Sequence, residues 1–247
     1  MPRHMLKHPR PGKLRRLVER WRAVFDRLVR AHAICDRTLS EPAVHELRLA
    51  ARRALPVLAL MAIHWPDDPR IAGAYRSVKA TLRALGPLRD AQLRVLRCGS
   101  SARTTSLRPI ARAEVRRLAP VARRALAAIP LALPADLLSG SAAMVGADIW
   151  KASGKRFGDL AVTYRKRYVR RERNVVKGDM ELQHRARVAL KRYRHLLIML
   201  DPVVRVRARH RVERLKARQD RWGEAHDRHL FDQWVAAQRS VGEAKPR

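Results

Sequence analysis

An all-α fold, built as a duplicated helical bundle, is what this 247-residue sequence predicts. Three observations lead there. Apolar residues recur at helical spacing nearly everywhere, and no segment sustains a two-residue alternation. The apolar filling is Leu, Ala and Val, with aromatics at only 5%. Finally, VHELRLAARR (44–53) and QHRARVALKRYR (183–194) share one pattern, in which a histidine is followed by an arginine three places on and a basic pair at the seventh and eighth.

Chain breakers divide the sequence into about eight helical pieces. The first spans 13–35. The second follows Ser40-Glu41-Pro42, where a cap residue and a first-turn proline mark a start, and it ends at His64-Trp65-Pro66. The third begins after Asp67-Asp68-Pro69 and runs to Leu85, where Gly86-Pro87 interrupts before a continuation to 97. GSSARTTS (99–106) reads as the clearest loop. A fourth helix covers 107–129, and the proline-punctuated stretch 130–140 divides the chain. Beyond it come helices over 143–174, 179–201, 202–222 and 224–239, with a frayed tail after Val241. The expected organisation is a first repeat over 13–130, a linker over 131–142 and a second repeat over 143–240, forming one domain together.

The repeat has two matched elements in the same order. His184 follows His45 at an offset of 139. LGPLRDAQL (85–93) and WGEAHDRHL (222–230) align at 137, each with a glycine four places before an aspartate, Asp90 and Asp227. These two carboxylates read either as partners that hold arginines or as caps at a helix junction.

On a wheel of about 100° per residue, His45, Arg48, Arg52 and Arg53 fall on one side of their helix, and Leu47, Ala50, Ala54, Val57 and Leu58 fall opposite. His184, Arg187, Lys191 and His195 form the corresponding stripe against Leu182, Ala186, Leu190, Tyr193 and Leu197. Arg76, Lys79 and Arg83 share a face of the third piece. Lys166, Arg170 and Arg173 recur at helical spacing before Asn174. A basic stripe on one helix is ordinarily a solvated face. Here few acids interleave to form i,i+4 pairs, and the stripe is written twice, so anion binding is the favoured reading.

Charge bounds the partner. Lys and Arg number 55 against 22 Asp and Glu, a net charge of +33. Repulsion on this scale calls for polyanions nearby: nucleic acid, an anionic membrane or a phosphate polymer. Arg predominates, and its planar fork suits bidentate contact with phosphate oxygens. Nucleic-acid binding lacks support from zinc-finger spacing or an aromatic RNA-binding motif, and the five Trp are scattered. Phosphate-transfer chemistry lacks GxxxxGK[ST] and has few acids beside the basic stripes to hold Mg²⁺; no enzyme activity and no cofactor is expected. A membrane-surface role lacks Trp, Phe or Leu flanking the stripes. His226 with His229, or His4 with His8, could pair on a metal, but neither pair has a third ligand nearby in sequence. Cys35 and Cys98 have no redox or metal spacing, no apolar run follows the basic N-terminus, and the longest apolar run is half a span. A soluble cytoplasmic protein is the resulting expectation.

These motifs resemble the CHAD family, the conserved histidine α-helical domain. Its signature V-H-x-x-R-x-x-x-R-R is matched by Val44, His45, Arg48, Arg52 and Arg53, and again by His184, Arg187, Lys191, Arg192 and Arg194. Its L-G-x-x-R-D element is matched by Leu85, Gly86, Arg89 and Asp90, with a weaker copy at Trp222, Gly223, His226 and Asp227. The resemblance covers about 14–239. It implies two four-helix bundles related by pseudo-twofold symmetry around a basic central cavity, binding of inorganic polyphosphate, and association with polyphosphate granules. It places the histidines, arginines and Lys191 of both signatures in the phosphate-binding role; Arg76, Lys79, Arg83, Arg89, Lys166, Arg170 and Lys216 complete the candidate set. The length leaves no room for the triphosphate-tunnel domain that some members carry. Other polyanions remain possible partners, with nucleic acid as a competitor. Departures from the pattern predict a lopsided cavity: Leu55 stands where the second copy has Arg194, Pro56 follows it, and Glu213 and Asp220 replace Arg76 and Arg83.

Overall fold

Proline placement sets where the early helices begin. The computed structural model describes residues 9–100, 102–129, 131–176, 179–203 and 206–243. In the first half, every α-helix carries a proline in its first turn: α1 (Pro11–Thr38), α2 (Glu41–His64), α3 (Pro69–Ala84), α4 (Gly86–Cys98) and α5 (Arg108–Ala127). There the absent N–H costs nothing and the fixed φ is already helical. Ser40 caps α2 by accepting from the Ala43 N–H, and Asp68 caps α3 by accepting from the Arg70 N–H. The second half holds α6 (Ala142–Arg173), α7 (Met180–Met199) and α8 (Val206–Glu243), and Asp179 caps α7 by accepting from Leu182. Among the described residues there is no strand, so the all-α expectation holds.

Among the described residues the α-helix count differs from four in each half: α1 to α5 lie in the first and α6 to α8 in the second. The matched glycine elements explain the difference. Gly86 is followed by Pro87, which cannot donate to the preceding turn, and α3 ends there. Gly223 is followed by Glu224, and a lone glycine weakens a helix without breaking it. The expected helices 202–222 and 224–239 are therefore one helix of 38 residues. Two expected loops are also partly ordered: 3₁₀ turns form at Ala102–Leu107 and Ala135–Leu138. The second is fastened to α1, because Arg22 donates to the carbonyls of Leu138 and Gly140. The tail beyond 243 and the pair His4–His8 lie outside the described residues.

The main core crosses the halves. Trp21, Phe25 and Leu28 of α1 meet Leu47 and Leu58 of α2, with Phe157 of α6 and Leu196 of α7 closing over them. The Trp21 and Phe157 rings meet edge-on at 6.1 Å, and the Trp21 indole N–H reaches the Met199 carbonyl at 3.4 Å. Each such large side chain contributes about 1.5–3 kcal/mol on burial. A smaller core joins Tyr168 of α6, Leu190, Tyr193 and Leu197 of α7, and Leu215 of α8. Cys35 and Cys98 are buried and unbridged. Burial pushes the Cys35 thiol up to about 11, which leaves it unreactive.

α1 and α6 pack closely at Gly146, where a Cβ would stand 2.6 Å from the Leu14 carbonyl oxygen. Because that neighbour is backbone, Gly146→Ala forces the helices apart. The expected cost is about 1–3 kcal/mol, read as a lower midpoint in thermal unfolding followed by circular dichroism. An unchanged midpoint would mean that the two helices part freely there.

Acids are spent mainly on struts between helices. Arg27 grips Glu46 bidentately at 2.5 and 2.9 Å, Arg94 pairs with Glu114 at 2.6 Å, and Arg218 pairs with Glu172. That use of carboxylates leaves the facing stripes of α2 and α7 short of counter-charge.

Candidate anion-binding site

α2 packs against α7 with its basic stripe turned toward the other's. Arg52 of α2 and Arg187 and Lys191 of α7 lie close enough to oppose one another's protonation. Burial, then Arg187 and Arg52, pull the Lys191 amine down to about 7. Burial, then Arg187 and Arg89, lower Arg52. Burial and the cations around it push His195 down to about 3, so that imidazole is neutral. Among the described residues, neither Arg52 nor Lys191 makes a hydrogen bond or an ion pair. Arg187 Nε is also buried without a hydrogen-bond partner. Removing cations from water without pairing them is costly, and an anion between the helices would relieve that cost.

In each half the arginine three places after the histidine reaches the glycine element. Arg48 donates from Nη1 to the Leu82 carbonyl at 2.7 Å, with that nitrogen 3.9 Å from where a Cβ on Gly86 would sit. Arg187 Nη1 sits 3.6 Å from the same position on Gly223 and 3.8 Å from Asp227 Oδ1. Burial brings Arg48 down to about 10. Asp90 faces Arg48; burial raises its pKa against the pull of that arginine, although part of its carboxylate still meets solvent. The capping alternative for these aspartates is not realised: Leu85 is the cap of α4 and makes no side-chain bond, and Asp227 lies inside α8.

Between α2, α3, α6 and α7 lies a cavity of about 370 Å³. α7 supplies His184, Arg187, Lys191, Arg192 and His195 to its wall, whereas α2 supplies Arg52, Leu55 and Pro56. At the repeat offset Leu55 and Pro56 align with Arg194, which does not line this cavity, and His195, which does. Tyr75, Lys79 and Leu82 enter from α3, and the Lys79 ammonium stands over the Tyr75 ring at 5.3 Å. Tyr164 and Arg167 enter from α6. A more open cleft of about 680 Å³ lies between α4 and α8, where Arg97, Arg228 and Arg239 are offset by Glu224 and Asp232.

The remaining candidates fall elsewhere. His45 is exposed at the start of α2, and Arg53 is half-buried near the Arg27–Glu46 pair. Arg76, Arg83, Lys166, Arg170 and Lys216 are exposed and do not line the cavity. Arg89 is held by Glu41, and Arg194 donates to Gln219 at 3.1 Å. Sequence reasoning missed Arg167 and Tyr164. Their signal was the i,i+3 spacing from Tyr164, whose ring marks the side of α6 that turns toward α7. No group of three or more His, Cys, Asp or Glu suited to a metal occurs among the described residues, and the His226 side chain lies outside them. No helix among the described residues is long and apolar enough to cross a membrane.

The CHAD domain family model matches residues 12–236. The chain belongs to the CHAD family. Among solved structures, this CHAD domain is similar to the crystal structure of the CHAD domain from the plant Ricinus communis, at 18% identity and a TM-score of 0.64. That match covers 97% of this chain and 83% of the other, and it bears on the fold alone. No curated protein matches the chain.

Proposed function

We propose that this CHAD domain is a binding protein for inorganic polyphosphate, without catalytic activity of its own, and that it associates with polyphosphate granules. One observation carries the reading: Arg52 and Lys191 flank a hollow, partly stripped of water and, among the described residues, without a hydrogen bond or ion pair. A phosphate chain offers what that arrangement lacks. Its terminal oxygens accept from guanidinium forks, and Lys191 serves as a movable point charge. The chain is also thin enough to enter between helices. Duplex nucleic acid is not, and it could reach only exposed stripes such as Arg76 with Arg83 or Lys166 with Arg170.

Titration with polyphosphates of graded length, at several salt concentrations and against competing duplex DNA, tests the proposal. Log affinity is expected to fall linearly with log salt as counterions are released, and long-chain polyphosphate is expected to displace DNA at equal phosphate concentration. DNA that holds its place, or phosphate released from polyphosphate when Mg²⁺ is added, would defeat the non-catalytic polyphosphate reading.

A further inference from the structure

A bare phosphate chain leaves half of the cavity unexplained. Beside the cations, the lining includes Leu55, Pro56, Tyr75, Leu82 and Tyr164. Phosphate oxygens pressed against such a surface lose water and gain no donor in return. The two tyrosines are near neighbours: burial, then Tyr75, raises the Tyr164 hydroxyl pKa. The cavity volume falls within the range of small-molecule sites, roughly 300–1,000 Å³, and its lining sets apolar and aromatic side chains among converging cations and two histidines.

We infer that this cavity holds a nucleoside polyphosphate, with the base against Tyr75, Leu82 and Tyr164 and the phosphates among Arg52, Arg187 and Lys191. The inference rests on the phosphate-binding reading of the same hollow and adds a planar apolar group at one end of the chain. Aromatic and cationic side chains line one hollow, so a ligand anionic at one end and flat at the other matches both. Lys79, over the Tyr75 ring, would meet a ribose or the first phosphate of such a ligand.

The test compares ATP with tripolyphosphate, each titrated calorimetrically into the full chain in Mg²⁺-free buffer. Both carry three phosphates, and ATP has the smaller negative charge because one end is esterified. A site that reads charge alone binds tripolyphosphate more tightly. This cavity is expected to favour ATP by roughly tenfold, the order of magnitude of one base stacked on an aromatic side chain. Saturation-transfer NMR on the unaltered protein is expected to label the adenine protons. Tyr75→Leu keeps apolar bulk but removes the ring, and it is expected to bring the ATP-to-tripolyphosphate ratio toward one. Tripolyphosphate binding as tightly as ATP, with adenine protons unlabelled, overturns the inference and leaves the polyphosphate proposal standing. Failure of both ligands to compete with long-chain polyphosphate overturns the inference and also removes phosphate from this hollow.

Discussion

Polyphosphate affinity is expected to fall by up to about tenfold for each pH unit raised above about 7, the limit set by uptake of one proton on binding. The group responsible is Lys191. In the free protein its amine titrates at about 7, because burial, Arg187 and Arg52 all disfavour the ammonium, and Asp227 only partly offsets them. A phosphate chain beside it favours the charged form and raises that value. Above pH 7 the free state has lost the proton and the bound state keeps it, so binding takes up a proton and weakens as pH rises. His184, lowered by burial and Arg187, acts in the same sense in a more acidic window. Ligand-free stability has the opposite slope: between about 7 and the ordinary lysine range the unfolded chain holds a proton that the native state has shed, so the fold gains stability as pH rises. Calorimetric titration at pH 7, 8 and 9 in buffers of different ionisation enthalpy measures the proton uptake directly. Long chains keep titration of the phosphate ends negligible. Lys191→Met is expected to flatten the profile, and a wild-type affinity constant from pH 7 to 9 would remove Lys191 from contact with the anion.

Much of this arrangement was legible in the sequence because it is written in local chemistry. Starts of helices were marked by Ser40-Glu41-Pro42 and by Asp68-Pro69, and the facing sides of α2 and α7 by histidine, arginine and lysine at helical spacing. What escaped depends on partners distant in the chain. Arg89 fits the phosphate-binding pattern but is held by Glu41, 48 residues earlier. The rotation of α6, which half-buries Tyr164 and brings the exposed Arg167, but not Lys166 or Arg170, to the cavity's edge, is set by packing on α1 and α7 rather than by its own periodicity. The continuous α8 was missed for a different reason. Gly223 aligns with Gly86, but the helix-breaking group in the first half is Pro87.

The arginines of the two signatures also differ in what they do when no ligand is present, and Arg52 is the clearest case. Arg48 is anchored to the Leu82 carbonyl, so its loss disturbs the α2–α3 junction as well as any anion contact. Arg52 makes no such bond and is disfavoured by burial and by Arg187 and Arg89. Arg52→Met keeps much of the stem's apolar volume and deletes the charge. In the ligand-free protein the replacement is expected to stabilise the fold by about 1–3 kcal/mol, as when buried ionic groups give way to well-packed apolar ones. It is also expected to weaken polyphosphate binding by about 1.5–3 kcal/mol, the worth of a charge-assisted contact, or roughly ten- to a hundredfold in affinity. The sign of the stability change separates the roles. An arginine kept for the fold lowers the unfolding midpoint when replaced and leaves affinity alone, whereas an arginine kept for an anion raises the midpoint and loses the ligand. Thermal unfolding with and without saturating polyphosphate reads both quantities on one sample: the variant is expected to melt higher than wild type when free and to gain less when bound. A lower free midpoint with undiminished stabilisation by polyphosphate would make Arg52 a structural residue and would take away the main support for an anion between α2 and α7.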